Sequence, residues 1–205
     1  MDRVFHWRQR FLAKSVTHQP QYVVDLLEVD RMYFRECHKG TRSFDRIPRM
    51  RGGGSIGSLG GPTDECMPIL VVRSRSQPFI ADQVLSRVTH AEVARSLKPV
   101  VKPGETVLCT DTHSAFLNLE HTLDVSAKRF VASRDGYVRE NIYHVQSVNN
   151  YHERLGSWIC RRLRGVATKY LPHYVGWMRL MSWKNDGVSA ADIVSSALGR
   201  QVVNL

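Results

Sequence analysis

Three polar residues stand in segments that are otherwise apolar, and their types are those that hold a hard metal ion. Asp30 lies in Leu-Glu-Val-Asp-Arg-Met-Tyr-Phe, Asp111 follows Thr-Val-Leu-Cys-Thr, and Asn149 sits in Tyr-His-Val-Gln-Ser-Val-Asn-Asn-Tyr-His-Glu-Arg-Leu. Divalent cations such as Mg²⁺ take oxygen ligands from Asp, Asn and water. Two such ions about 3.5–4 Å apart can clamp both oxygens of a phosphoryl displacement. A carboxylate inside an apolar strand is costly unless something cationic meets it, so Asp30 demands a partner. Taken singly, each aspartate fits a strand-end turn or a buried salt bridge equally well.

The elements that must position these residues follow from periodicity. Residues 22–34 alternate Val, Leu and aromatics and read as a strand, with Asp30 inside it. Residues 67–73 are a second strand and 78–85 a weaker third. Residues 106–110 form a compact buried strand that delivers Asp111 at its C-terminal end. Residues 127–132 read as a further strand. Helices are expected over 3–14, 89–97, 114–123, 189–198 and after Pro172 to about residue 184. Thr89 with Glu92 three residues on has the form of a capping box. The longest helix is expected over 142–165, with Val145, Val148, Leu155, Ile159 and Arg162 in its apolar stripe and Tyr151, Trp158 and Leu163 widening it. Asn149 borders that stripe. Glu153 lies one turn on, about 6 Å along the axis, so only one of the two can be level with the aspartates. Chemistry alone favours Glu153, because a carboxylate binds Mg²⁺ better than an amide oxygen.

Other constellations fail on geometry. His144, His152 and Cys160 share one helix, but steps of eight residues separate them by about 12 Å each, too far for one zinc ion. Asp111, His113 and Ser114 resemble a triad only in writing, since near neighbours in sequence rarely converge as nucleophile, base and orienter. Trp158, Trp177 and Trp183 read as core. Cys37, Cys66, Cys109 and Cys160 form no Cys-x-x-Cys pair, which points to reduced thiols rather than a zinc ribbon.

The chain has 205 residues and a formal net charge of +10. A field of that sign attracts polyanions. No apolar run is long enough to span a bilayer and the N-terminus has no signal-type apolar region, so nucleic acid, DNA or RNA, is a better-matched partner than a membrane; the family resemblance that these residues carry implies DNA, in the cytoplasm at the nucleoid. The stretch 35–65 reads as a mobile, basic, Gly-rich loop, and with the later half of the long helix it supplies the expected phosphate contacts: Arg35, Lys39, Arg42, Arg49, Arg51, Arg154, Arg161, Arg162 and Arg164, with Lys169 just beyond the helix.

At these residues the chain resembles bacterial insertion-sequence transposases of the DDE superfamily, in the branch whose third catalytic residue is often Asn. The resemblance rests on the three segments quoted above and on Arg-Gly-Val-Ala-Thr-Lys-Tyr-Leu-Pro, and runs from about Phe5 to about Trp177. It implies an α/β, ribonuclease-H-like fold, a mixed sheet flanked by helices. It further implies Mg²⁺- or Mn²⁺-dependent strand cleavage and strand transfer, with Asp30, Asp111 and Asn149 as catalytic and metal-binding residues and a homo-oligomer forming on DNA. In that reading residues 1–18 are the basic last helix of an upstream DNA-binding module, 19–185 the catalytic domain, and 186–205 a C-terminal helix and tail. The chain departs from the family where Asp-Glu is common and it has Asp30-Arg31, and where a Lys is common and it has Gly156. A third departure is expected upstream, where the family usually has a zinc ribbon and a helix-turn-helix and this chain starts at what reads as the last helix of that module. The three together carry the alternative, a truncated or decayed copy that binds DNA without cutting it.

Charge without an intact reading helix predicts DNA binding that is largely sequence-independent and steeply salt-dependent. Each phosphate contact contributes about −0.9 to the slope of log K against log salt. Titrations between low and moderate salt check this, and binding that hardly changes across that range would rule out phosphate contacts as its source.

Overall fold

The computed structural model describes residues 2–41, 66–130, 144–182 and 187–200. Arg42, Arg49, Arg51, Trp183 and most of the Gly-rich stretch lie outside the described residues. Five strands form one sheet: β1 (Leu26–Arg35), β2 (Cys66–Ser74), β3 (Ile80–Val84), β4 (Val107–Asp111) and β5 (Ser126–Phe130), in the order β3-β2-β1-β4-β5. β1, β2 and β3 form an antiparallel meander, while β4 and β5 run parallel to β1. This is the mixed, helix-flanked α/β sheet expected of a ribonuclease-H-like domain.

The middle strands are buried on both faces, which is why β2 reads as a nearly unbroken apolar run. On one face Leu27, Val29, Leu70, Val72 and Leu108 pack with Val93 and Leu97 of α2 (His90–Leu97) and Leu119 of α3 (Leu119–Leu123). On the other, Phe34, Ile69, Val71 and Ile80 pack with Val148, Tyr151 and Leu155 of α4 (Gln146–Gly156) and Leu171, Val175 and Leu180 of α5 (Leu171–Ser182). α1 (Asp2–Thr17) lies against α5, where a Cβ on Gly176 would stand 2.8 Å from the Ser15 carbonyl oxygen. α6 (Ala190–Ala197) closes the described chain, with Ser189 and Asp192 forming a reciprocal capping box.

Several sequence expectations change in detail. The long helix begins at Gln146, and after Gly156 it widens into π-helical turns over Ser157–Arg162. Leu163 N–H reaches back to the Trp158 carbonyl, and Arg164 and Gly165 then take positive φ, which ends the helix. Arg162, placed in the apolar stripe by period, is exposed because the wider turns rotate it outward. The helix expected over 114–123 is a 3₁₀ turn, Ser114–Phe116, and the short α3, separated by Asn118 in the left-handed region. The Thr89 cap forms, but Glu92 bonds Ser86 and Arg87 instead of closing the box.

Two buried ion pairs fix the layers. Glu28, on β1 and 0% exposed, accepts the Ser147 and Val148 backbone N–H groups at 2.8 and 3.1 Å, capping the start of α4. Arg75 holds its other oxygen at 2.9 Å, and the His144 ring stands 3.1 Å from the same oxygen. Asp82 on β3 pairs with Arg179 of α5, and Tyr151 of α4 donates to its second oxygen at 3.0 Å. Arg179 also donates to the carbonyls of Ser15, Val16 and His18, groups at the C-terminal end of α1 that lack helical partners. Removing one partner of such a pair leaves the other charge buried and costs about 3–5 kcal/mol. Glu28→Ala is therefore expected to lower the urea-unfolding free energy by about that amount, with Glu28→Gln losing less because it keeps an acceptor. A change within the error of the measurement for Glu28→Ala would show that the carboxylate does not anchor α4.

Candidate functional site

The sheet register brings the two aspartates together. β1 and β4 are adjacent and parallel, and the last paired positions are Val29 and Thr110. The next residues on the two strands are Asp30 and Asp111. Neighbouring strands lie about 4.8 Å apart, so the carboxylates stand side by side where β4 ends and β1 runs on.

Arg31 meets both. One guanidinium nitrogen, Nη1, donates to Asp111 Oδ2 at 2.6 Å and lies 3.7 Å from Asp30 Oδ1. Side chains alternate along a strand, so Arg31 leaves β1 on the face opposite Asp30 and reaches round the end of β4. Its Nε donates to the Tyr33 hydroxyl at 3.2 Å, and its guanidinium lies 5.6 Å from the centre of the Phe116 ring. Asp111 Oδ1 accepts the His113 N–H, and Asp30 Oδ1, the oxygen nearer the guanidinium, also accepts the Arg31 backbone N–H.

Helix α4 runs beside β1 in the same direction. Its side chain at Asp30 is His152, with Nδ1 3.8 Å from Asp30 Oδ2. Burial pushes the His152 pKa down to about 4, so the ring is neutral at pH 7 and this contact is a close approach, not an ion pair. Burial also pushes Asp30 up to about 6, the nearby Asp111 adding to the rise while the Arg31 N–H and guanidinium oppose it.

The third predicted residue is placed differently from the expectation that it borders the buried side. Asn149 is exposed, and its side chain makes no hydrogen bond among the described residues; Glu153 is exposed as well. The cause is rotation: Val148, Tyr151 and Leu155 face the sheet, His152 flanks them, and Asn149 falls on the solvent side of His152.

These residues do not fit a divalent ion as they are arranged. The space between the carboxylates holds a guanidinium nitrogen, and among the described residues no group of three or more His, Cys, Asp or Glu converges as metal ligands.

The predicted phosphate contacts divide. Arg35 and Arg161 line a cavity of about 580 Å³ beside Met32, Glu153 and Gly156. Lys39 and Arg162 line a second cavity of about 430 Å³ with Phe5, Arg8 and Tyr170, and the two cavities share Gly165 and Val166. Arg154, Arg164 and Lys169 are exposed, Lys169 lying 5.1 Å from the Tyr170 ring centre. Sequence reasoning missed Glu28, His152, Arg75 and Arg8. Glu28 carried a signal, since two residues before Asp30 puts it on the same face of the strand.

No protein-family model and no curated protein matches the chain. Among solved structures, the catalytic core domain of BIV integrase is similar at 14% identity over 83% of this chain and 93% of that one, with a TM-score of 0.47. A simian T-cell lymphotropic virus intasome in complex with PP2A regulatory subunit B56 gamma is similar at 9% identity over 91% of this chain and 59% of that one, with a TM-score of 0.46. Neither likeness assigns a role to a residue here. Among the described residues no helix is long and apolar enough to cross a membrane.

The raised pKa of Asp30 makes stability depend on pH. The folded state prefers the neutral acid, so this contribution is complete below pH about 4 and is lost as pH rises through about 6. A shift of two units corresponds to about 2–3 kcal/mol. Asp30→Asn, which carries no charge to lose, should gain about that much on wild type between pH 4 and pH 7.5. Urea unfolding of both proteins at the two pH values reads it, and a mutant–wild-type difference that stays constant with pH would refute the raised value.

Proposed function

We propose that this chain is the catalytic domain of a transposase-type polynucleotidyl transferase acting on DNA, with Asp30, Asp111 and Asn149 as its reaction site. The observation that carries the reading is the register: two aspartates follow matched positions on adjacent parallel strands, with a helix laid along the first of them. The net charge of +10 and the Arg- and Lys-lined cavities beside that helix support DNA as the substrate. The chain's own residues account for binding and orientation. Arg35 and Arg161 in one cavity and Lys39 and Arg162 in the other would take backbone phosphates, while Glu28 and Tyr151 hold α4 at a set height over β1. The resemblance to insertion-sequence transposases extends the proposal to cleavage and joining of element ends with Mg²⁺ or Mn²⁺, by a homo-oligomer assembled on DNA. Because the arrangement described does not fit the ion, no step is drawn through it.

Arg31 favours a second reading, a domain that binds DNA and cuts nothing. A nicking and strand-joining assay on supercoiled and pre-cut DNA, with excess Mg²⁺ or Mn²⁺, separates them. The transferase reading expects nicking abolished by Asp30→Asn and by Asp111→Asn, with DNA binding retained. It also expects Asn149→Ala to remove cleavage and Glu153→Ala to be mild. Arg161→Gln and Arg162→Gln should each lower the salt slope of binding by about one unit. Binding without any nicking supports the second reading, and a dead Glu153→Ala with a live Asn149→Ala would show that the third residue is misassigned.

A further inference from the structure

We infer that Arg31 is the resident cation of the Asp30–Asp111 pair, and that a divalent ion binds between these carboxylates only when the arginine leaves. The inference goes beyond the reading above, since it concerns ion occupancy in the absence of DNA.

The geometry has four parts. A single nitrogen of Arg31 contacts both carboxylates, at 2.6 and 3.7 Å, which is the bridging role an ion would have. The guanidinium is also held from behind, by the Tyr33 hydroxyl at 3.2 Å and by the Phe116 ring. It is therefore fixed in place by contacts that do not involve the carboxylates. Of the oxygens not facing Nη1, Asp111 Oδ1 accepts the His113 N–H, and Asp30 Oδ2 is covered by the neutral His152 ring at 3.8 Å. An ion arriving from solvent would have to strip those contacts and sit against a positive charge. Finally, Asp111 is the open side of the pair: its side chain is 38% exposed, against 15% for Arg31. The ion pair can thus be broken from outside without unfolding the sheet.

The charge count points the same way. Two carboxylates match one divalent ion. With Arg31 in place only one net negative charge remains, while Mg²⁺ additionally demands near-octahedral oxygen ligands at about 2.1 Å. A guanidinium is delocalised, never deprotonated in a protein and shaped for carboxylates, so it offsets one of the two negative charges over a wide pH range.

Mn²⁺ binding to the DNA-free protein, measured by calorimetry and by the loss of the free-ion paramagnetic resonance signal, tests this without reference to activity. Wild type should bind weakly, and Asp111→Asn in the wild-type background should not change that binding. Arg31→Ala and Arg31→Gln should each tighten Mn²⁺ binding about 10–100-fold, the range seen when groups around a metal site are altered. Asp111→Asn added to Arg31→Ala should abolish the gain. Folded Arg31 variants, checked by circular dichroism, with unchanged Mn²⁺ affinity would overturn the inference. So would wild-type binding that is lost in Asp111→Asn, because the ion would then already share the pair with Arg31. That last comparison decides even where both Arg31 variants fail to fold. Loss of DNA binding or of nicking leaves these outcomes untouched, so the inference and the proposed function fail separately.

Discussion

A carboxylate with no exposed surface, in the middle of a sheet, sets the height of the helix that crosses it. Glu28 receives two backbone N–H groups from the first turn of α4. These groups have no partner within the helix, and the positive end of the helix dipole favours the negative charge. Once that contact is made, the remaining register follows from two pitches. Alternate residues on a strand advance by about 6.6 Å, and four residues on a helix by about 6.0 Å. Glu28, Asp30 and Met32 therefore meet Val148, His152 and Gly156 in succession: the first two pairs stand at 3.1 and 3.8 Å, and Met32 lies 3.8 Å from where a Cβ on Gly156 would be. Sliding α4 by one turn would strip Glu28 of its donors. The identity of the residue opposite Asp30 is thus decided at Glu28, one step earlier on the same face.

The sheet carries acids at three points, and each is answered by an arginine in a different way. Glu28 is enclosed and shared between Arg75 and the start of α4. Asp82 is enclosed and shared between Arg179 and Tyr151, while Arg179 spends its other hydrogens on the end of α1. Both are joints: each ties a helix to the sheet and to a second element, and a buried charge left alone would be severely penalised. The Asp30–Asp111 pair is different. Its arginine comes from the residue next to Asp30 on the same strand, reaches only the neighbouring strand and the turn after it, and ends at a carboxylate open to solvent. A structural joint has no need of such exposure. This contrast, more than the presence of two aspartates, marks the pair as the part of the sheet free to change partners.

Much of the frame could be read from residue order. Residues 67–73 are apolar on both faces, and only a strand buried on both sides reads that way. Thr89 capped a helix as expected because a hydroxyl at that position has one favourable use. What failed did so where a local rule met a tertiary choice. Asn149 was assigned to the buried border by counting angles along an ideal helix, but that arithmetic fixes an angle only relative to the stripe. It does not say how far the stripe extends, and His152 occupies the border instead. The widening after Gly156 is invisible to any 3.6-residue period. Asn118 interrupted a helix by adopting a left-handed backbone, a conformation open to asparagine but not announced by it. Glu28 was legible in principle, since an acid two positions from Asp30 shares its face, yet its partners come from 47 and 119 residues away.

Gly156 shows how the positioning of α4 and the shape of the site are joined. Its backbone is ordinary helix, φ −61° and ψ −47°, so no turn requires glycine there. A Cβ would have room, its nearest neighbour being the end of Met32 at 3.8 Å. Glycine inside a helix costs roughly 0.5–1 kcal/mol relative to alanine, and neither backbone nor packing returns it. The residue lies where α4 passes into its wider turns and where Met32 and Glu153 open into the larger cavity. A side chain at this point would project from the helix face that follows His152, toward Met32 and the cavity. The absence of one leaves that space to the cavity. The same helix register that sets His152 against Asp30 thus places, one turn later, a residue without a side chain in the wall of the cavity that Arg35 and Arg161 line.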